Sequence, residues 1–194
     1  RAVARQQLDL FPEPWPVVVP SGSCAGMIKH HYPALFAADP VLKAKAAALA
    51  ARTHELTAFL LDVLKVTLQD RGTPSTVVLH TSCSARREMG VHRTGRALLD
   101  QLCQVRIAQQ DHEAECCGFG GTFSVRQPEI SGAMVADKVD ALIASGAEQV
   151  VSADCGCLMN ILGHAAWRDA QAGLAKPRLP GEHSATFLLR RTTK

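Results

Sequence analysis

Cysteine carries most of the potential chemistry in this chain. Seven cysteines occur in 194 residues: Cys24, Cys83, Cys103, Cys116, Cys117, Cys155 and Cys157. They are too sparse for a disulfide scaffold and odd in number. Cys116 and Cys117 are neighbours, and a trans peptide holds adjacent Cα atoms only about 3.8 Å apart, below the range of a relaxed disulfide. Clustered thiols of this kind point to metal or redox work in a reducing compartment, so a cytoplasmic setting is expected.

The spacing separates two kinds of metal chemistry. Zinc fingers and ferredoxins take ligands in tight CxxC pairs. Here they would come singly or as an adjacent doublet from distant loops: Cys83, Cys116 with Cys117, and Cys157. Two neighbouring thiolates reach two atoms of a polynuclear core with less crowding than they reach one tetrahedral ion. Gly118, Gly120 and Gly121 follow the doublet. They permit positive φ and leave room for backbone amides to face a negatively charged sulfur core. An iron–sulfur centre is the first reading, and structural zinc the alternative.

The elements that must carry these loops read as alternating strands and helices. Short apolar runs at residues 17–19, 76–80, 104–107 and 149–152 are expected strands. Three of the four end in a cysteine-bearing loop. The runs lack period-2 alternation, as parallel strands covered on both faces do. Asp39 before Pro40 marks a helix start, and spaced leucines suggest one long helix or two joined ones over residues 40–68. Further helices are expected at 95–102, from an N-cap at Ser131 to a stop at Gly146, through 158–167, and around Phe187-Leu188-Leu189. Residues 1–16 show little pattern. The fold class is α/β with a parallel sheet, and chemistry gathers at the carboxyl ends of such strands.

An internal repeat accompanies this pattern. Val17 falls on Val150, Cys24 on Cys157 and His31 on His164 at an offset of 133, while Phe59-Leu60-Leu61 falls on Phe187-Leu188-Leu189 at 128. Two pseudo-repeated halves are therefore expected.

Composition narrows the function classes. Apolar residues make up 47% and charged residues 20%, with a net charge of +3. That profile is neither disordered nor nucleic-acid binding, and no run is long enough for a membrane span. No GxGxxG fingerprint is present, so hydride chemistry would belong to a partner.

Thr81-Ser82-Cys83, the run from Cys116 through Gly118-Phe119-Gly120-Gly121 to Ser124, and Ser152-Ala153-Asp154-Cys155-Gly156-Cys157-Leu158-Met159 resemble the cysteine-rich CCG-domain iron–sulfur proteins. The likeness is closest to the lactate-utilisation branch of that family. The glycolate oxidase iron–sulfur subunit and the corresponding CCG-bearing component of heterodisulfide reductase are more distant relatives. The resemblance implies residues 1–70 as the end of a first CCG-type repeat and 71–194 as a complete second one, so that the chain starts inside the first. It implies an iron–sulfur cluster, of [4Fe-4S] type, held by Cys83, Cys116, Cys117 and Cys157, with Gly118, Gly120 and Gly121 around it. Cys24 and Cys155 are further candidate metal ligands. The expected role is electron transfer within a complex that oxidises L-lactate or a similar 2-hydroxy acid. The other subunits of that complex would be the partners, and the chain itself need not be catalytic. A thiol–disulfide redox subunit of the heterodisulfide reductase kind is a further alternative.

Two departures bear on the site. The family pattern ends in CxxC, but position 154 is Asp, so either Cys155 substitutes or fewer thiolates are used. The first cysteine and first CCG of repeat one have no counterpart here, and a centre that needed them could not form. Cys103, Met27 and Met159 read as ordinary packing residues. His30, His31, His80 and His112 read as satisfied or exposed histidines, and Arg86 and Arg87 as a solvated helix face or counter-charges to the centre.

Overall fold

The computed structural model describes residues 1–193. Among them the order is α1 (Ala2–Leu10), β1 (Val17–Val19), α2 (Gly22–Gly26), α3 (Tyr32–Leu35), α4 (Pro40–Ala51), β2 (Thr53–Glu55), α5 (Leu56–Ala58), β3 (Ser75–His80), α6 (Val91–Leu99), β4 (Val105–Ala108), α7 (Phe123–Arg126), α8 (Pro128–Ala144), β5 (Gln149–Ser152), α9 (Cys155–Gln171), β6 (Gly181–His183) and α10 (Ser184–Thr192). Three π-helical turns, Met27–His31, Phe59–Val63 and Ala85–Met89, follow the loops that leave β1, β2 and β3.

The strands form two all-parallel sheets, a two-stranded β1-β2 and a four-stranded β4-β3-β5-β6. Both faces of the larger sheet are covered. Val78 and Val150 pack with Val135, Val139, Leu142, Leu158 and Ile161 of α8 and α9. Val77, Leu79 and Val151 pack on the other face with Leu98 and Leu99 of α6 and Phe187 and Leu188 of α10. Successive strand residues point to opposite faces, so a strand buried on both must be apolar throughout. Val77, Val78, Val150 and Val151 are each 0% exposed, and full burial of such a side chain is worth about 1.5–3 kcal/mol. The smaller sheet has its own core of Ala4, Leu8, Ile28, Tyr32, Phe36, Ala46 and Leu49.

The internal repeat is real in three dimensions. In the smaller sheet Val17 stands beside Thr53, and in the larger Val150 stands beside Gly181. The two pairings carry the same offsets as the sequence repeat, so β1-β2 is a second copy of β5-β6.

Several expected elements differ. Residues 40–68 are not a continuous helix: α4 stops at Ala51 and the chain enters β2. The helix expected from 95 starts at Val91, just after Gly90, which takes a left-handed conformation at φ +65°. Ser131 is not an N-cap, because α8 begins at Pro128, where proline fits the first turn. Gly146 does end that helix region, at φ +69°. Residues 2–10 form α1, anchored by Ala4 and Leu8.

The topology makes a crevice. β3 and β5 are adjacent, with His80 opposite Ser152 at their carboxyl ends. The helix after β3 packs on one face of the sheet and the helix after β5 on the other. Where such connections diverge, the strand ends open a gap.

Candidate metal centre

His80, Cys117 and Cys157 converge in that gap. All three are buried, and one donor atom from each lies within 4.8 Å of the others. His80 is the last residue of β3, Cys117 lies in the loop between β4 and α7, and Cys157 is in the first turn of α9. Cys83, half-buried just beyond β3, has its thiol against that of Cys116. The structure thus pairs Cys117 with Cys157, beside His80, and Cys83 with Cys116.

Cys24, Cys155 and Cys103 are exposed. Cys24 and Cys155 sit at the starts of α2 and α9 and do not join the buried group. Asp154, at the CxxC position, is buried but already engaged. Its Oδ1 accepts from the Ser21 hydroxyl (2.9 Å), the Ser23 amide (3.2 Å) and the Ser23 hydroxyl (2.6 Å), and its Oδ2 from the Ser82 hydroxyl (2.8 Å).

The loop that presents the doublet is fixed at several points. The Gly118 amide donates to Cys116 Sγ at 3.4 Å. Asn160 Nδ2 donates to the Cys117 carbonyl at 2.8 Å, and the Ser131 hydroxyl to the Gly118 carbonyl at 2.8 Å. Gly118 takes φ +80°, and a Cβ there would lie 2.6 Å from the Ser131 carbonyl oxygen. Gly156 is needed for space alone: its Cβ would fall 2.3 Å from the Phe119 ring. Gly120 and Gly121 also have positive φ, as expected of the run.

Cys117 and Cys157 are linked through one hydrogen bond. The hydrogen bond with Cys157 lowers the Cys117 thiol against the opposing cost of burial, helped by His80 and the Phe119 amide. The same hydrogen bond, followed by burial, pushes Cys157 up. Burial raises Cys116, opposed by the Gly118 amide, and the neighbouring Cys83 adds to the rise.

Two groups give no clear signal in the sequence. Lys138 on α8 is only 2% exposed. Its ammonium donates to the His112 carbonyl, and among the described residues no carboxylate is within ion-pair distance of it. Burial lowers its pKa, opposed by the negative fields of Glu115, Cys117 and Cys116. Helical periodicity places it on the same face as Val135 and Leu142, where a lysine gives no advance sign of its role. His80 ends an apolar strand three residues before a cysteine, a position at which a histidine reads as ordinary. In the structure both of its ring nitrogens are buried without a nitrogen or oxygen partner.

These observations fit a thiolate-bound metal group. Soft sulfur donors converge, an imidazole lacks nitrogen or oxygen partners, and a buried cation stands near with no carboxylate to pair it. Fold and site define a cysteine-rich α/β domain, and residues 77–162 match the pattern of the cysteine-rich CCG domain. That span holds every buried donor. The chain is similar to lactate utilization protein A of Bacillus cytotoxicus, 42% identical over 159 residues, which are 82% of this chain and 66% of the relative. It is 40% identical over 159 residues, with the same shares covered, to lactate utilization protein A of Bacillus cereus strain B4264 and to lactate utilization protein A 2 of Bacillus mycoides. The chain thus spans just under two thirds of the length of these curated relatives. Among the described residues no helix is long and apolar enough to cross a membrane.

Proposed function

We propose that this chain is an iron–sulfur electron-transfer subunit of a cytoplasmic complex that oxidises L-lactate, or a similar 2-hydroxy acid, to the 2-oxo acid. The observation that supports the reading is the convergence of His80, Cys117 and Cys157 at the ends of β3 and β5, with Cys83 against Cys116 beside them. Cys83, Cys116, Cys117 and Cys157 would hold the cluster, of [4Fe-4S] type, with Gly118, Gly120 and Gly121 bringing backbone close. When bound, such a centre takes up and passes on single electrons. The chain's own groups then have separable tasks. Asn160 and Ser131 orient the doublet, Gly156 makes room for Phe119 over the start of α9, and Lys138 supplies a buried positive charge. Oxidation of the hydroxy acid releases two electrons and two protons, a step assigned to a partner subunit. Residues 1–70 would close one CCG-type repeat and 71–194 form the next. The names of the curated relatives support the lactate setting.

The test is anaerobic purification or reconstitution of the chain, with iron and acid-labile sulfide measured per chain and electron-spin spectra recorded after reduction. A reducible centre, lost in C83A, C116A, C117A and C157A, is expected. The closeness of His80, Cys117 and Cys157 favours a second reading, a single structural zinc. One colourless zinc per chain with no sulfide would replace the first reading by that one.

A further inference from the structure

We infer that His80 is a nitrogen ligand of the same centre, so that the donor set is mixed thiolate and imidazole. The inference rests on the iron–sulfur reading above and adds to it the identity of one donor.

Three groups at the strand ends compete for this role. If a donor beyond the four thiolates is needed, sequence position nominates Asp154 or Cys155. Asp154 has both carboxylate oxygens occupied by hydroxyl and amide donors from two different loops. Cys155 is exposed. His80, by contrast, is 0% exposed, and neither nitrogen has a nitrogen or oxygen partner, the Cys117 thiol being its polar neighbour. A buried imidazole without such partners is costly, about 1–3 kcal/mol for each unsatisfied group. Position in the fold accounts for it. The ring is the last side chain of β3, in register with Ser152 of β5, at the point where the crevice opens. Its donor nitrogen lies within 4.8 Å of both the Cys117 and Cys157 sulfurs. With metal–donor bonds of about 2.0–2.3 Å, the ring nitrogen is close enough to serve a metal held by either sulfur. An inward movement of the ring would let a metal atom of the centre take the His80 nitrogen beside those thiolates.

Imidazole in place of thiolate removes a negative charge from the ligand set, and centres with histidine in place of cysteine have higher reduction potentials. His80 would therefore set the potential at which the subunit accepts an electron.

The experiment uses the anaerobically reconstituted chain, grown with natural-abundance and with 15N-labelled histidine, and examined by pulsed electron-spin resonance in its paramagnetic state. Directly bonded nitrogen gives a strong hyperfine pattern that changes with the isotope. We expect that pattern in the unmodified chain, its loss in H80Q with iron and sulfide retained, and a lower midpoint potential in H80C, where a thiolate returns. A centre that forms without any histidine-nitrogen coupling overturns the inference and leaves the iron–sulfur reading intact. Coupling that persists in H80Q overturns it equally. Failure of the unmodified chain to take up iron and sulfide is instead the failure of the function proposed above. Should H80Q not fold, the labelled unmodified chain still decides, because among the described residues His80 is the one histidine grouped with buried thiols.

Discussion

Ser21 and Asp154 hold matching places in the two halves of the chain, and they meet: the Ser21 hydroxyl donates to Asp154 Oδ1 at 2.9 Å across 133 residues. Each precedes a helix. Ser21 accepts from the Cys24 amide and so caps α2. Asp154 makes no such bond to α9; its carboxylate serves the opposite half instead, taking the Ser23 amide at the start of α2, where the helix end favours an anion. His183 adds a second link between the halves, with Nε2 at 2.8 Å from the Pro20 carbonyl and 3.1 Å from that of Ala153.

Loss of the Asp154 carboxylate should loosen this junction. D154A strands the hydroxyls of Ser21, Ser23 and Ser82, and we expect about 2–4 kcal/mol of destabilisation by urea unfolding. D154C recreates the CxxC spacing, yet one weakly accepting sulfur cannot replace two oxygens that take four bonds. It should be destabilised nearly as much, without added iron per chain. A D154C protein as stable as the parent would contradict this account.

Asn160 acts on the centre only through the Cys117 carbonyl. N160A should cost about 1 kcal/mol of apo-protein stability. The larger effect should be on metal retention, since groups that orient ligands typically govern affinity by about 10–100-fold. Iron release to a chelator, timed in N160A and parent, gives the comparison; equal rates would assign Asn160 to packing alone.

Lys138 separates charge from shape. K138M conserves most of the volume and removes a buried ammonium, so the apo protein should change by less than about 1.5 kcal/mol, in either direction. The loaded protein should show a lower midpoint potential, because a positive charge near the centre favours its reduced form. Redox titration of K138M beside the parent reads the effect, and an unchanged potential would remove Lys138 from the electrostatics of the site.

Acid should act at the far end of the sheet. Asp70 and Arg191 form a buried ion pair at 2.6 Å, with the Asp70 and Arg191 side chains 0% and 2% exposed. Burial raises the Asp70 pKa, but hydrogen bonds from Arg191 and from the Gln104 and Gly72 amides outweigh it and hold the carboxyl low. A depressed folded-state pKa gives stability that is full above the unfolded value, about 3.9, and is lost as pH falls through the folded one. D70N leaves the guanidinium unpaired and should cost about 3–5 kcal/mol at neutral pH. That deficit should shrink below about pH 4, as the parent loses the same pair. Urea midpoints taken at several pH values test this, and a deficit independent of pH would point to a packing defect.

Some of this architecture can be read directly from residue order. β1, β3 and β5 announce themselves because strands buried on both faces must be β-branched and apolar, and three of the expected strands lead to cysteines. β2 does not: Thr53-His54-Glu55 is polar and lies within a helical spacing of leucines. Thr53 and Glu55 are nonetheless 0% exposed, the Glu55 carboxylate accepting from the Thr57 and Ala58 amides. Side-chain capping replaces hydrophobicity there, and pattern reading has no access to it. β6, Gly181–His183, is equally polar and equally hidden. At the centre, spacing and resemblance nominate four thiols, which the structure pairs as Cys117 with Cys157 and Cys83 with Cys116. They do not nominate His80, because a lone histidine near a cysteine usually carries no special role; only the lack of any nitrogen or oxygen partner distinguishes it.

The parallel order β4-β3-β5 also governs when the centre can exist. Its candidate donors sit behind different strands, so an extended or half-folded chain offers at most the Cys116–Cys117 doublet, never the whole set. Parallel neighbours must be joined through long crossovers, and such pairings form slowly. Occupation is therefore a late event in the life of each molecule. A metal group would then meet a finished scaffold, and a molecule whose sheet has come apart retains no complete donor set.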